Sequence, residues 1–203
     1  MIDYPKAGSF TENTALPVLR HHGITSLDAL IITETEYTEE SINLLLEEFP
    51  VKELYLPEEA DPDLIKKDFT EIKFIKEGSN LSFGEINISS LIISEGICSL
   101  SVSNSGSTLL IPGNIEAKAE ALLSEKATDV DFLKAPRHGN KGSLSEALLE
   151  KTTPEAVIVS TGRKLSDDFS KRLEKFDIYT TKVNGDITVN CKTKEINPYK
   201  KVK

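Results

Sequence analysis

Apolar and polar residues follow two different periods near the start of the chain. Residues 27–33 form an apolar run that ends at a polar cluster, a pattern that predicts a buried strand. Four apolar residues then recur at the spacing of an amphipathic helix, namely Ile42, Leu45, Leu46 and Phe49. Pro50 ends this helix, and residues 51–57 predict the next strand. The order strand, helix, strand predicts a βαβ unit whose two strands are parallel.

The middle of the chain has short segments in which apolar and polar residues alternate. These segments are residues 71–77, 81–94, 98–102 and 107–112. Turn-forming residues lie between or within them, including Gly78, Gly84, Gly96 and the triplet Asn104-Ser105-Gly106. Alternation with a period of two between such turns predicts antiparallel hairpins, so we expect a meander here.

Helical spacing returns in the second half of the chain. One helical face is predicted from Ile115, Ala119, Leu122 and Leu123. Ser143 and Glu146 form a capping box that is expected to open a second helix. Ser166 is a suitable N-cap residue for a third helix. The apolar stripe of that third helix is Phe169, Leu173 and Phe176.

Predicted strands alternate with these helices, and a hairpin is expected to close the chain. Residues 130–136 and 156–161 are apolar segments typical of buried strands. Asn184 and Gly185 favour a type I′ hairpin turn. Helices must cover the outer faces of the sheets while the inner faces pack on one another. We therefore predict an α/β fold that forms a four-layer αβ/βα sandwich.

Composition limits the classes of protein to which the chain can belong. Its 203 residues are 38% hydrophobic, which is typical of a soluble globular protein and predicts one domain over residues 1–203. No run approaches the roughly 20 apolar residues of a membrane span. The start of the chain lacks the pattern of a signal peptide. A free-standing protein of this kind is expected in the cytoplasm.

The charge of the chain bears on its partners. The formal net charge is −9, and affinity for DNA normally requires Lys and Arg residues that neutralise phosphates. The basic tail, residues 192–203, contains Lys200, Lys201 and Lys203, which we interpret as a solvated terminus. The charge therefore disfavours DNA and leaves an unknown protein as the expected partner.

Several phrases, taken in order, resemble a known family. Residues 27–33, 109–116 and 131–139 are similar to strands of the metallo-β-lactamase superfamily. More narrowly, they resemble the C-terminal domain of ComEC-type DNA-internalisation (late competence) proteins. The likeness runs from Ile2 to about Cys191. It implies the metallo-β-lactamase-like sandwich without its first hairpin, and, for a fragment of such a protein, a place at the external face of the inner membrane.

The residues at the family's metal-binding positions differ from the family pattern. The motif Thr-His-x-His-x-Asp-His begins here at Thr33 and replaces each histidine with a glutamate. Those residues are Glu34, Glu36 and Glu39, with Thr38 at the aspartate position. Asn114 stands where the family has an aspartate ligand, and Arg137 replaces the first histidine of Pro-His-His-Gly, leaving His138 as the second.

These replacements change the metal chemistry that the chain could support. Hydrolytic zinc sites use imidazole or thiolate ligands, so the glutamates disfavour zinc. Carboxylates suit Mn²⁺ or Mg²⁺, but the cation Arg137 would oppose either ion. A structural interpretation is simpler, because Thr38 can cap a helix whose first turn holds Glu39. Glu34 and Glu36 would then be solvated, or one of them could pair with Arg137.

Three functional hypotheses follow from these residues. The first is a non-catalytic scaffold or interaction module with no cofactor, linked through the resemblance to competence and DNA uptake. The second is a Mn²⁺- or Mg²⁺-dependent nuclease or phosphodiesterase that uses the glutamates with Asn114 and His138. The third is a DNA- or nucleotide-binding module that uses Arg137, Lys141 and Arg163, with Lys141 in a loop that could hold an anion. Under the first hypothesis, His138 is a loop histidine with an ordinary hydrogen bond.

Overall fold

The computed structural model describes residues 1–3, 11–36, 39–65 and 71–199. The chain forms two compact units, Met1–Lys76 and Glu77–Lys203. The single domain over residues 1–203 stays a prediction. The end of the predicted basic tail, residues 200–203, lies outside the described residues. None of the helices in the described part of the chain combines the length and the apolar character needed to cross a lipid bilayer.

The first unit contains a three-stranded parallel sheet. In sheet order its strands are β1 (Leu27–Ile31), β2 (Val51–Pro57) and β3 (Glu71–Ile75). Its helices are α1 (Leu16–His21), which follows a π-helical turn at Thr11–Ala15, and α2 (Glu39–Glu48), with a 3-10 turn at Pro62–Leu64. Ile2 adds a parallel bridge to Ile31 of β1.

The helical stripe predicted in this unit lies in its core. Ile42, Leu45, Leu46 and Phe49 are each at most 3% exposed. They belong to one apolar cluster with Leu30 of β1 and Leu54 of β2. Burying each such side chain contributes about 1.5–3 kcal/mol, which explains why α2 covers this face of the sheet. The predicted βαβ unit with parallel strands is confirmed.

The direction of β3 differs from the prediction. Residues 71–77 were expected in an antiparallel hairpin, but β3 pairs parallel with β2, with Leu54 opposite Ile72. A parallel pair requires a long connection, and residues 58–70 provide one. The alternating pattern of a short strand does not distinguish parallel from antiparallel pairing. The length of the connection between β2 and β3 was the feature that indicated parallel pairing.

The second unit contains a seven-stranded mixed sheet and a two-stranded one. In chain order the strands are β4 (Asn80–Phe83), β5 (Ile86–Ser94), β6 (Ile97–Asn104), β7 (Ser107–Ile111), β8 (Phe132–Lys134), β9 (Ala156–Val159), β10 (Asp177–Thr180), β11 (Ile187–Val189) and β12 (Ile196–Pro198). Its helices are α3 (Ala117–Lys126), α4 (Glu146–Thr152), α5 (Asp167–Arg172) and α6 (Thr181–Asn184), with a 3-10 turn at Pro136–Gly139.

The larger sheet changes direction at β7. Its order is β10-β9-β8-β7-β6-β5-β4, antiparallel from β4 to β7 and parallel from β7 to β10. Ser105 and Gly106 have φ angles of 51° and 86°, the geometry of a type I′ turn between β6 and β7. The predicted meander is therefore confirmed for β4 to β7.

The buried face of α3 is rotated from the predicted one. Ala119 and Leu123 are buried as expected, but Leu122 is 46% exposed. Glu120, which is 0% exposed, faces the interior instead. An acidic residue was not expected on this face because a buried carboxylate needs hydrogen-bond partners that only distant parts of the chain can provide.

The helix caps are confirmed at one place and corrected at another. Ser166 accepts a hydrogen bond from the Phe169 amide at 3.3 Å, as predicted. The cap of α4 is Ser145, whose hydroxyl accepts from the Leu148 amide, and not the predicted Ser143. Leu144 has a φ of +61°, so helical geometry starts two residues later than the sequence suggested.

The closing hairpin at Asn184 and Gly185 is absent. Asn184 ends the single-turn helix α6, and its side chain accepts a hydrogen bond from the Thr180 amide. Gly185, with a φ of 69°, follows as the cap residue. An Asn-Gly pair suits a helix end as well as a type I′ turn. As a result β10 pairs with β9, and β11 pairs with β12.

Candidate functional site

Four neighbouring parallel strands of the second unit end at the same edge of the sheet. They are β7, β8, β9 and β10. The segments that follow them are residues 112–116, 135–146, 160–168 and 181–186, and we call them together the carboxyl edge. Ligands of α/β proteins commonly bind at such an edge, because several loops converge there.

The segment after β7 carries Asn114. It turns at Gly113, which has a φ of 78°, and Ser99 fixes the turn by donating a hydrogen bond to the Pro112 carbonyl at 2.7 Å. Asn114 is half-buried, and Glu116 is exposed at the start of α3. The segment therefore presents an amide where the resembling family has a carboxylate.

The segment after β8 is a left-handed turn. Arg137, His138 and Gly139 have φ angles of 48°, 55° and 71°. A non-glycine residue in this region costs about 1–2 kcal/mol, so the surrounding structure must offset the strain at two positions. A Cβ atom on Gly139 would lie 2.7 Å from Cγ1 of Val159, so packing against β9 requires glycine here.

Arg137 forms an ion pair within this edge. Its Nη1 atom lies 3.4 Å from Oε1 of Glu116. A glutamate partner for Arg137 was among the expectations, and Glu116 is such a partner within the second unit. A pairing of Arg137 with Glu34 or Glu36 stays a prediction. The two side chains are 38% and 65% exposed, so the pair contributes at most about 1 kcal/mol. Its importance is chemical, because it places a cation between the ends of β7 and β8.

His138 makes the ordinary loop hydrogen bond that was predicted. Its Nδ1 atom lies 2.9 Å from the carbonyl oxygen of Ser160, at the end of β9. A carbonyl can only accept, so Nδ1 donates and the neutral ring keeps its lone pair on Nε2. The side chain is exposed. Histidines that ligate metals are often oriented in the same way.

The carboxyl edge carries no net charge. Residues 112–116, 135–146, 160–168 and 181–186 all lie in the described part of the chain. They contain five cations, Arg137, Lys141, Arg163, Lys164 and Lys182, and five anions, Glu116, Glu146, Asp167, Asp168 and Asp186. Lys141 and Arg163, both proposed to contact anions, are exposed among these acidic neighbours.

The acidic motif belongs to the first unit, where it follows β1. Thr33 is fully buried, and its amide and hydroxyl donate to Oδ1 of Asp3 at 2.9 and 2.8 Å. Glu34 is half-buried and Glu36 is exposed. Sequence reasoning missed Asp3, because nothing local connects it to a residue thirty positions away.

The proposed helix cap is not tested. Thr38 lies outside the described residues, and Glu39 is described only as the first residue of α2. Whether the hydroxyl of Thr38 caps α2 therefore stays a prediction.

The described donors do not fit the zinc centre that the resembling family implies. Among the described residues, no group of three or more His, Cys, Asp or Glu side chains is arranged to hold a metal ion. At the carboxyl edge the family positions hold the amide of Asn114, the guanidinium of Arg137 and one imidazole, His138. A guanidinium has no lone pair to donate to a metal.

The fold is that of metallo-β-lactamase proteins. The metallo-β-lactamase fold protein YhfI from Bacillus subtilis superposes with a TM-score of 0.54, covering 80% of this chain and 79% of that protein at 12% identity. The predicted fold class is therefore confirmed as a mixed α/β fold of this type.

The sequence is similar to two competence-related proteins. Recombination protein 2 of Haemophilus influenzae is 26% identical over 196 residues, which is 91% of this chain and 25% of that protein. ComE operon protein 3 of Bacillus subtilis is 26% identical over 175 residues, or 76% of this chain and 22% of that protein. The chain thus spans about a quarter of these relatives. No family model matches it. The predicted resemblance is confirmed.

Proposed function

We propose that this chain is a non-catalytic metallo-β-lactamase-fold domain that acts as a scaffold or interaction module in a process related to DNA uptake. The similarity to Recombination protein 2 and ComE operon protein 3 supports the link to competence. The observation that carries the non-catalytic role is the ion pair of Arg137 with Glu116. This pair holds a permanent cation at a position where the resembling family has an imidazole.

The chemistry of that pair opposes hydrolysis through a bound metal. A guanidinium stays protonated in proteins and repels a divalent ion nearby. Asn114 can offer only a neutral carbonyl oxygen, and His138 supplies one imidazole. A zinc hydrolase uses three protein ligands and an open position for water. The two segments of the carboxyl edge that replace the family's ligands therefore supply too few donors.

Metal analysis and a nuclease assay test this proposal. The purified chain is incubated with Zn²⁺, Mn²⁺ or Mg²⁺, desalted and analysed for metal, then assayed on single- and double-stranded DNA. We expect substoichiometric metal and no cleavage above background. Stoichiometric metal together with turnover that Glu36→Ala abolishes would overturn the non-catalytic role and establish the nuclease hypothesis. Glu59→Ala, which changes an exposed glutamate of the same unit, is the matched control.

DNA binding is tested separately. Five cations and five anions at the carboxyl edge provide no concentrated positive potential. We expect that affinity for a short duplex is weak and changes little between about 50 and 200 mM salt. A steep loss of affinity with salt, reduced by Arg163→Gln, would instead favour the DNA-binding module.

The similarity to the same relatives supports a proposal for the location of the domain. If the chain is part of a longer competence protein, we propose that it lies at the external face of the inner membrane. As a free-standing protein it would act in the cytoplasm. Fractionation of cells that produce the chain at its natural level distinguishes the two locations.

A further inference from the structure

A buried carboxylate of the second unit has no role in the proposed function. Glu120 lies on α3 and is 0% exposed. Its Oε1 atom accepts a hydrogen bond from the Leu144 amide at 2.8 Å, and Oε2 accepts from the Ser145 amide at 2.6 Å. Both oxygens are therefore directed at two consecutive backbone amides just before α4.

An arginine from a different helix binds the same short segment. Nη1 of Arg172, at the end of α5, donates to the carbonyls of Ser143 and Leu144 at 3.0 and 2.8 Å. Its guanidinium lies over the ring of Phe169, 5.5 Å from the centroid. Two oppositely charged side chains from two helices thus bind both kinds of backbone group in residues 143–145.

The segment between them needs such support. Leu144 has a φ of +61° and is 1% exposed, so a branched apolar residue is held in the left-handed region inside the core. Charge-assisted hydrogen bonds to its amide and its carbonyl favour this conformation over the ordinary extended one. If only some of these hydrogen bonds formed, the conformation would not be stabilised, because a buried charge without a partner is costly.

Further hydrogen bonds connect this segment to the left-handed turn. The amide and hydroxyl of Ser143 donate to the Asn140 carbonyl at 3.0 and 2.7 Å. The Asn140 amide donates to the Arg137 carbonyl at 3.0 Å. The series therefore runs from α3 and α5 through Ser143 to the residue that carries the guanidinium of the carboxyl edge.

We propose that Glu120 and Arg172 are positioning residues that hold the loop of residues 137–145 in one conformation. The exposed side chains of this loop, His138 and Lys141 among them, are then presented in fixed positions. A loop fixed in this way loses little conformational entropy when it binds a partner. This device does not depend on whether the domain is catalytic, so it is independent of the function proposed above.

The hydrogen bonds of Glu120 and Arg172 to the backbone of residues 143–145 are called the clamp below, and hydrogen exchange of the full chain tests it. Glu120→Gln keeps the shape of the side chain but replaces one accepting oxygen with an NH₂ group, which cannot accept a hydrogen bond from the backbone amide that faces it. We expect exchange of the amides in residues 140–145 to increase by about tenfold or more relative to the rest of the second unit. Leu123→Ala is the matched control, since it opens a cavity in the same helix without touching the clamp. It should lower Tm without a selective increase in the loop.

Two further variants keep the test decisive if Glu120→Gln does not fold. Ser143→Ala removes the hydroxyl hydrogen bond to the Asn140 carbonyl. Arg172→Gln removes the hydrogen bonds of the guanidinium to the Ser143 and Leu144 carbonyls. Each should raise exchange selectively in residues 137–145. Loop exchange equal to wild type in the folded variants, or a rise spread evenly over the second unit, would overturn the proposal.

Discussion

The two units secure the ends of their parallel strands by different means. In the first unit, Asp3 binds the amide and hydroxyl of Thr33, and beyond that point Glu34 is half-buried and Glu36 is exposed. In the second unit, the turn at Arg137–Gly139 is packed on β9 and connected by hydrogen bonds to two helices. At the end of β1 a side-chain carboxylate adds to the backbone hydrogen bonds, whereas the turn after β8 is fixed by backbone geometry and core packing.

This difference suggests how the fold can be kept when side chains at the ends of its strands are replaced. Gly139 must be glycine because Val159 occupies the space of a Cβ atom. The side chains of Arg137 and His138 are half-buried and exposed, so replacing them does not require space that the core already fills. A metallo-β-lactamase-like backbone is therefore weak evidence for metallo-β-lactamase chemistry.

The largest effect should come from adding a methyl group at the packed turn. Gly139→Ala combines a clash with Val159 and a φ of +71°, and should destabilise the chain by about 3–4 kcal/mol. Gly142→Ala has a φ of +82° but no atom within 4 Å, so it should cost about 1 kcal/mol. Urea unfolding of both variants measures the difference. Equal losses would show that packing on β9 does not fix the turn.

Removing the carboxylate of the first unit should have the next largest effect. Asp3→Ala leaves the buried Thr33 donors without their partner and should cost about 2–3 kcal/mol. Asp61→Ala removes an exposed carboxylate that accepts a hydrogen bond from the Asp63 amide, and should cost less than about 1 kcal/mol. Denaturant titration compares the two. A loss below that of Asp61→Ala would mean that another contact secures this strand end.

The corrected helix cap allows a finer test within the second unit. Ser145→Ala removes the N-cap bond to the Leu148 amide and should cost about 1 kcal/mol. Ser145→Asn, which can also cap a helix, should recover most of that loss. Thermal unfolding of the pair gives the cap contribution, and identical Tm values would rule it out.

Because Arg137 has a left-handed backbone conformation, replacing it with glycine should stabilise the chain slightly relative to alanine, whereas glycine usually destabilises. Arg137→Ala and Arg137→Gly both remove the ion pair with Glu116, but only glycine relieves the φ of 48°. The glycine variant should be more stable than the alanine variant by about 1 kcal/mol. The same unfolding experiment measures this difference, and a less stable glycine variant would contradict the strain.

The smallest effect concerns acid stability in the first unit. Lys73 and then Tyr55 donate hydrogen bonds to Glu53, and they lower the pKa of that carboxyl. A lowered pKa stabilises the folded chain above the ordinary pKa of a glutamate, and this contribution is lost as pH falls through the lowered value. Glu53→Gln should therefore reduce the fall in Tm between about pH 6 and about pH 3. An unchanged slope would contradict this assignment.

Local patterns in the sequence predicted most elements but not their distant partners. The stripe from Ile42 to Phe49 and the cap at Ser166 depend on neighbouring residues, and both are confirmed. The predictions of an antiparallel β3 and of a hairpin turn at Asn184 were wrong, because short patterns suit more than one arrangement. The hydrogen bond of His138 was expected, but its partner Ser160, just after β9, could not be identified from the sequence.

The candidate site shows the same limit more strongly. Its unusual residues could be found by comparison with the family motif, including Arg137 and Asn114. The clamp of Glu120 and Arg172 could not, because both residues resemble the solvated charges of ordinary helices. Only the structure shows that they bind the backbone of residues 143–145.

The change of direction at β7 has a consequence for how the second unit folds. β4 to β7 are joined by tight turns, so their contacts are close in sequence and form quickly. β8 to β10 need crossover connections, and each pairing must close a longer loop. We expect the meander to fold first, with β7 as the template on which the slower, parallel half assembles.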